Sequence, residues 1–406
     1  MESMFIGVSG MQAHQKAVSV IGNNVANLNT VAYKAGRISF QDQLVATLRA
    51  GSSLGTNPMQ VGGGVSIGSI DAVMTAGVLR PTNRTLDLSV VGSGFFVVDD
   101  GANQHYTRAG VFQMDADNRI VLAGNGMRAV GWRADIFTGA MDTTTVPSND
   151  LRIPLGTLYA VSTANATFAG NLNAAAAVGD TATVTFDAYD SLGTAHRVDI
   201  TFEKTAAATW EWTATSPDAA VGTTPGSGTL TIDAHGNVTA ATNSGPIDLQ
   251  LATPNGAEAT LSFVVDFSAV SQLDGEFSVQ TTSQDGLRMG TLDSYSIDTN
   301  GQIFGTFSSG ATRLLGQLAL AHFTNPAGLQ REGNNLWSIS PNSGSAVVTP
   351  ASASASSIRS GYLEQSNVDL TAEFTELIVA QRGFQANSRS ITTADDMLQE
   401  VLQLKR

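Results

Sequence analysis

Histidines, cysteines and paired carboxylates are where this 406-residue chain would first show reactive chemistry. The five histidines (His14, His105, His196, His235 and His322) stand far apart. None forms the i, i+4 pair that brings two imidazoles to one metal on a helix face. There are no cysteines, which removes disulfides, thiolate metal sites and a thiol nucleophile together. A serine nucleophile would need a sharp strand-to-helix turn, whereas Gly92-Ser93-Gly94 sits in a strand-like run that leads to no helix. The glycine-rich runs at Gly62–Gly68 and Gly124–Gly126 lack the Lys-Ser/Thr that holds a phosphate, and read as turns. Asp395 and Asp396 lie beside an apolar helical seam, where a solvated face explains them. No catalytic, metal or cofactor site is expected, and the chain reads as a non-enzyme.

The acidic residues that do recur point to turns. An apolar residue, Asp, two free positions, Gly or Asn, one free position and an apolar residue appear three times. The copies are Met114–Ile120, Ile232–Val238 and Ile297–Ile303. The Asp side chain can cap its own turn and the Gly or Asn can take positive φ, so each is read as a hairpin. No series of calcium ligands follows any of them. Strict alternation at Leu86/Leu88/Val90, Val198/Ile200/Phe202 and Leu261/Phe263/Val265/Phe267 marks half-buried strands.

Composition agrees with a turn-rich β region. Only 14% of residues are charged, against about 25% in an average soluble domain, and there are 41 glycines. The net charge of −14 is concentrated in residues 51–360, which carry 13 Lys/Arg against 26 Asp/Glu. That argues against nucleic acid or an anionic membrane as partner. No apolar run is long enough to span a bilayer, and the N-terminus has neither the basic nor the apolar part of a cleaved secretion signal. All eleven prolines fall between Pro58 and Pro350, leaving both ends free to be helical. Residues 51–70 and 341–357 look like linkers by composition.

At the N-terminus, apolar residues recur in steps of four and three through Met4, Val8, Met11, Val18 and Val25, widened by Ile21 and Leu28. At the C-terminus the same steps run through Leu370, Phe374, Leu377, Phe384, Ile391, Leu398 and Leu402. The spacing predicts an amphipathic helix near the start and one long helix over about 369–404, each with a coiled-coil-like seam. Burying one large apolar side chain is worth roughly 1.5–3 kcal/mol, while ordering the backbone costs roughly 1–2 kcal/mol per residue. Such helices are expected to order only when many copies pack side by side, the alternative being one intramolecular helical hairpin capping a β domain. The seam residues Val8, Met11, Val18, Ile21, Val25, Leu28, Leu370, Phe374, Leu377, Phe384, Ile391, Leu398 and Leu402 are the candidate polymerisation site.

Two stretches then resemble a known family. Ser9-Gly10-Met11, Ile21–Asn27 and Thr30-Val31-Ala32-Tyr33-Lys34 are similar to the N-terminal signature of flagellar rod and hook axial proteins. Gly361–Leu370, Ala380–Asn387 and Thr393–Leu398 are similar to that family's C-terminal end. Tyr189–His196, Gly316–Ala321, Asn325–Leu329 and Gly333–Leu336, with the long inserted middle, look like the hook branch rather than the shorter rod proteins. The resemblance implies a secreted structural subunit that self-assembles into a flexible tube carrying torque from rod to filament. It also implies export by the flagellar type III apparatus, and cap, distal rod and hook–filament junction proteins as partners. The fold class expected is α+β: long terminal α-helices forming a coiled-coil-like core domain, with two mainly β domains inserted between them. The expected limits are 1–32 with 361–406 for the helical core and 33–82 for an extended linker. An inner β domain is expected at 83–145 with 285–360, and an outer β domain at 146–284.

Overall fold

The structure is a computed structural model that describes residues 2–43, 46–49, 59–136, 139–220, 226–243, 246–251 and 256–404. Residues 51–58 of the first linker expected by composition lie outside them.

The three repeated turns share one set of hydrogen bonds. In each, the Asp Oδ1 accepts two backbone N–H groups: Asp117 and Arg119 on Asp115, His235 and Asn237 on Asp233, Asn300 and Gln302 on Asp298. The fifth residue takes positive φ, at Asn118 (61°), Gly236 (85°) and Gly301 (74°). A fourth turn of the same build occurs at Asp190–Thr194, with Asp190 Oδ1 accepting Leu192 and Thr194 N–H and Gly193 at φ 79°.

The strands between such turns build two separate cores. A 13-stranded sheet is centred on Thr312–His322, which pairs antiparallel with Gln302–Phe307 and Phe95–Asp99. One face buries Leu88, Phe96, Phe112, Ile303 and Leu320; the other buries Phe95, Trp132, Ala321 and Trp337. Strand Ala195–Ala206 has its even positions inward, and it sits in a five-stranded sheet. That sheet faces a four-stranded one containing Thr260–Leu273 across a core of Phe168, Phe202, Trp212 and Phe267. Phe267 makes ring contacts with Phe168, Phe202 and Trp212 at 5.2–5.5 Å between centroids. Within the four-stranded sheet, Asn165–Asn173 and Thr260–Leu273 run parallel.

Residues expected as linkers carry regular structure. Gly36–Asp42 pairs antiparallel with Val65–Ala72, and Ala46–Arg49 with Met59–Val61. The Ala/Ser-rich run lies against the large sheet, with Ala351, Ser356 and Ile358 buried and Ser357–Ser360 paired to Leu88–Val91. Small side chains there allow close packing, which composition alone reads as looseness.

The expected α+β class with a coiled-coil-like core does not hold. Strands make up 47% of the chain and helix 17%, so the fold is mostly β. The two α-helices among the described residues are α1 (Glu2–Ala26) and α2 (Leu370–Leu404). They pack on each other within the chain, but not as a long heptad core. Apolar periodicity at the ends marks amphipathic helices, and it cannot weigh them against the many short strands between.

Phe267 anchors the sandwich core, so Phe267→Ala is expected to cost about 3–5 kcal/mol. The check is the urea midpoint of the transition reported by Trp210 and Trp212 emission.

Candidate assembly surface at the paired termini

α1 ends in a run of asparagines, which compete with helical backbone bonds and favour caps and turns. Asn27 N–H still bonds back to Asn23 O, and its side chain bonds the same carbonyl. Ala32 then turns the chain at φ 56°. The segment that follows is buried and held by side chains far away in sequence. Asn24, 1% exposed, donates to Gly36 O (2.8 Å) and Glu373 Oε1 (2.9 Å) and accepts from Gly36 N–H and Tyr33 O–H. Asn367 accepts from Ala35 N–H and donates to Val73 O and Thr75 O. Arg331 lies over the rings of Tyr33 and Trp337 and donates to Lys34 O.

At the centre stands a buried carboxylate. Glu364, with no exposed surface, takes Lys34 Nζ at 2.6 Å and Gly77 N–H at 2.9 Å on one oxygen. Arg108 approaches its other oxygen at 3.6 Å and donates to Val90 O and Gly92 O. Burial lowers the Lys34 ammonium below its ordinary range, and Glu364 works against that. Burial lowers Arg108 in the same way. Two cations share one carboxylate, and Thr75 O takes another proton from Lys34.

Beyond this junction α1 and α2 run against each other through small residues. Ala13, Ala17, Ile21, Ala380 and Ala394 are buried. A Cβ at Gly7 would come within 2.8 Å of Ile391, at Gly10 within 2.7 Å of the Asn387 amide, and at Gly383 within 2.5 Å of the His14 ring. His14 also meets Phe40 of the hairpin at 5.8 Å between centroids. A groove of about 500 Å³ opens beside it, lined by Ile6, Gly10, His14, Phe40, Gly64 and Asn387.

The contact line through 7, 10, 17 and 24 runs one residue ahead of the apolar steps at 8, 11, 18 and 25. The candidate seam residues are therefore divided. Ile21 is buried, and Val18, Val25 and Leu377 pack around it. Met11 and Ile391 are half-buried, and Leu28 packs against Tyr33, Ala35 and Val368. Val8, Leu370, Phe374, Phe384, Leu398 and Leu402 are exposed, from 36% at Leu370 to 68% at Leu402. Phe5, Ile6, Ile378, Val379 and Met397, which were not part of the seam reading, are exposed as well. The glycines carry the signal for the true contact: Gly7, Gly10, Ala13 and Ala17 are spaced three and four apart. Among the described residues no His/Cys/Asp/Glu group converges to hold a metal, and no helix is long and apolar enough to cross a membrane.

Lys34→Met removes one partner of a buried pair, which typically costs about 3–5 kcal/mol. Amide protection is expected to fall at 32–35 and 362–367 while the sandwich keeps its own; equal protection in both would contradict the clamp. Glu373 supplies a pH dependence. Burial raises its carboxyl above the usual 4.5, the Asn24 hydrogen bond opposes this, and Glu376 and Asp369 push it further up. Its stabilising contribution is complete below about pH 4.5 and fades as pH rises through the raised folded value. Hydrogen exchange across α1 and α2 should therefore slow from neutral toward pH 4.5 after correction for intrinsic rates, and Glu373→Gln should remove that slope.

Comparison with known proteins matches four segments in chain order. Residues 4–34 match the flagella basal body rod protein family and 89–157 the flagellar hook protein FlgE/F/G D1 domain. Residues 161–287 match the flagellar basal body protein FlaE D2 domain, and 359–404 the flagellar basal body rod FlgEFG protein C-terminal family. The chain is 38% identical to the flagellar hook protein FlgE of Borreliella burgdorferi and 37% identical to that of Treponema pallidum, covering 100% of both chains in each case. A crystal structure of Helicobacter pylori flagellar hook protein FlgE2 shares the fold at TM-score 0.53 and 15% identity, over 70% of this chain and 100% of that one. With whole-length identity at this level, the chain belongs to the flagellar hook protein family.

Proposed function

We propose that the chain polymerises through the unpartnered apolar faces of α1 and α2, and that the resulting tube passes torque from rod to filament as a universal joint. The protein is a structural subunit of the flagellar hook and assembles with itself there. The observation that carries the proposed mode of assembly is the number of large apolar side chains that α2 leaves exposed, Phe374, Ile378, Phe384, Met397, Leu398 and Leu402 among them. Exposed apolar surface beyond scattered single residues marks an interaction site. The seam reading is thereby refined. Ile21, Leu377 and Ile391 support the pair from within, and the exposed members face neighbouring copies.

In this reading the ends of the chain, 1–32 and 361–406, form the inner part of the tube. The large sheet (about 83–161 and 285–360) and the sandwich (about 162–284) form successive layers outside it. The sandwich carries most of the acidity. Residues 161–287 hold 14 Asp/Glu against two Lys/Arg, which favours polar, exchangeable contacts between neighbours and lets outer layers slide while the inner helices hold. Cap, distal rod and junction proteins would meet the same helical ends, and the chain would reach them through the flagellar type III apparatus.

Phe384→Asp and Leu398→Asp each place a charge on the outward face without touching the β cores. Tubes seen by negative-stain electron microscopy in the parent should be lost in both variants, with far-ultraviolet circular dichroism preserved. Normal tubes from either variant would refute this mode of assembly.

A further inference from the structure

The sandwich joins the large sheet through only two chain crossings, near 161–165 and 284–287. Two units joined in this way are expected to swing unless something else holds them. We propose that the Asp190–Thr194 turn is a strut that fixes the angle at which the sandwich stands on the large sheet.

Among the described residues four turns share the same Asp-capped build, and one of them differs. Asp115 and Asp233 keep about a third of their side-chain surface in solvent, whereas Asp190 is 2% exposed. Its second oxygen faces His196 Nε2 at 3.3 Å, and His196 Nδ1 lies 3.0 Å from Asp218. The turn is thus braced from behind by its own unit. Its tip rests on the other unit. A Cβ on Gly193 would overlap the backbone nitrogen of Met289 and come within 2.9 Å of the Ala160 Cβ. Met289 lies on Leu287–Ile297 and Ala160 on Leu158–Val161, which pair with each other at the edge of the large sheet. Gly193 therefore lies flat on that strand pair, with φ at 79°, and no larger residue fits there without moving one unit away from the other.

The crossings are tied to the same turn. Thr163 N–H donates to Tyr189 O, the residue before Asp190, and Thr163 Oγ1 accepts from Tyr189 N–H and donates to Gln284. Asp285 accepts from Ala164 and Asn165 N–H across the two crossings, and its own carbonyl is bonded by Arg313 of the large sheet. Three supports (two crossings and one strut) define an orientation, whereas two crossings alone define a hinge axis.

The chain has no cysteine, so labels can be placed singly. Spin labels at Glu211→Cys on the sandwich and Gln104→Cys on the large sheet report the distance between the units by pulsed electron resonance in the full-length protein. The parent is expected to show one narrow distance distribution. Gly193→Val should broaden or shift it by lifting the tip. Ala160→Trp should do the same from the other side without altering any residue of the sandwich, and it decides alone if Gly193→Val proves unfolded by circular dichroism. A broad distribution in the parent would overturn the strut, as would a distribution unchanged in folded Ala160→Trp.

Discussion

A single carboxylate with no access to water, Glu364, organises the place where the two ends of the chain meet. It can be buried only because Lys34, the Gly77 N–H and Arg108 surround it, and these come from three separate parts of the sequence. An unpaired charge there would be costly enough to break the packing around it. The arrangement therefore sets several distances at once. It fixes where the strand before α2 begins, where the turn after α1 runs, and how both sit on the large sheet. Asn24 and Asn367 repeat the principle with side-chain amides, Asn24 joining Gly36 backbone to the Glu373 carboxylate and Asn367 joining Ala35 to Val73. The residues that carry the family resemblance at the two ends are thus neighbours in space, and their chemistry is that of a joint rather than of an active site.

From that joint the helices leave together, and the glycines decide what happens next. At Gly7, Gly10 and Gly383 the missing side chain makes room for Ile391, Asn387 and His14 of the opposite helix. Several large apolar residues stand to the flanks of this line and stay exposed. Close packing within one chain and apolar surface outside it are two results of the same choice of residues. A seam of leucines and phenylalanines facing inward would have given a self-contained hairpin with little to offer a neighbour.

This also explains what could be read from the sequence. The Asp-capped turns were legible because each is closed by its own side chain, a matter of five consecutive residues. The strands at Val198–Phe202 and Leu261–Phe267 were legible from alternation, and α2 from its apolar steps. The register of the helix pair was not, because a search for large apolar residues finds the outward flanks and passes over glycine and alanine. The turn at Asp190 escaped because its flanks are Tyr189 and Ala195 rather than large aliphatics. The partnership of Lys34 with Glu364 spans 330 positions and has no local signature. Ala/Ser-rich sequence resembled a linker because composition does not report whether a small side chain is free or tightly covered.

The parallel pairing of Asn165–Asn173 with Thr260–Leu273 has a consequence for the order in which the molecule can form. The earlier strand must wait for a partner about a hundred residues later, and the intervening sheet must be made in between. Two two-stranded ladders outside the large sheet close in the same way. Leu88–Val91 waits for Ser357–Ser360, and Leu79–Pro81 for Tyr362–Glu364. Each layer is nested inside the next, so sandwich, sheet and helix pair can be completed only in that sequence as the chain emerges from its N-terminus. Until residue 364 is free, Lys34 has no carboxylate to meet, and the two ends cannot present their apolar flanks together. Winding the chain in this way makes assembly competence the last property it acquires.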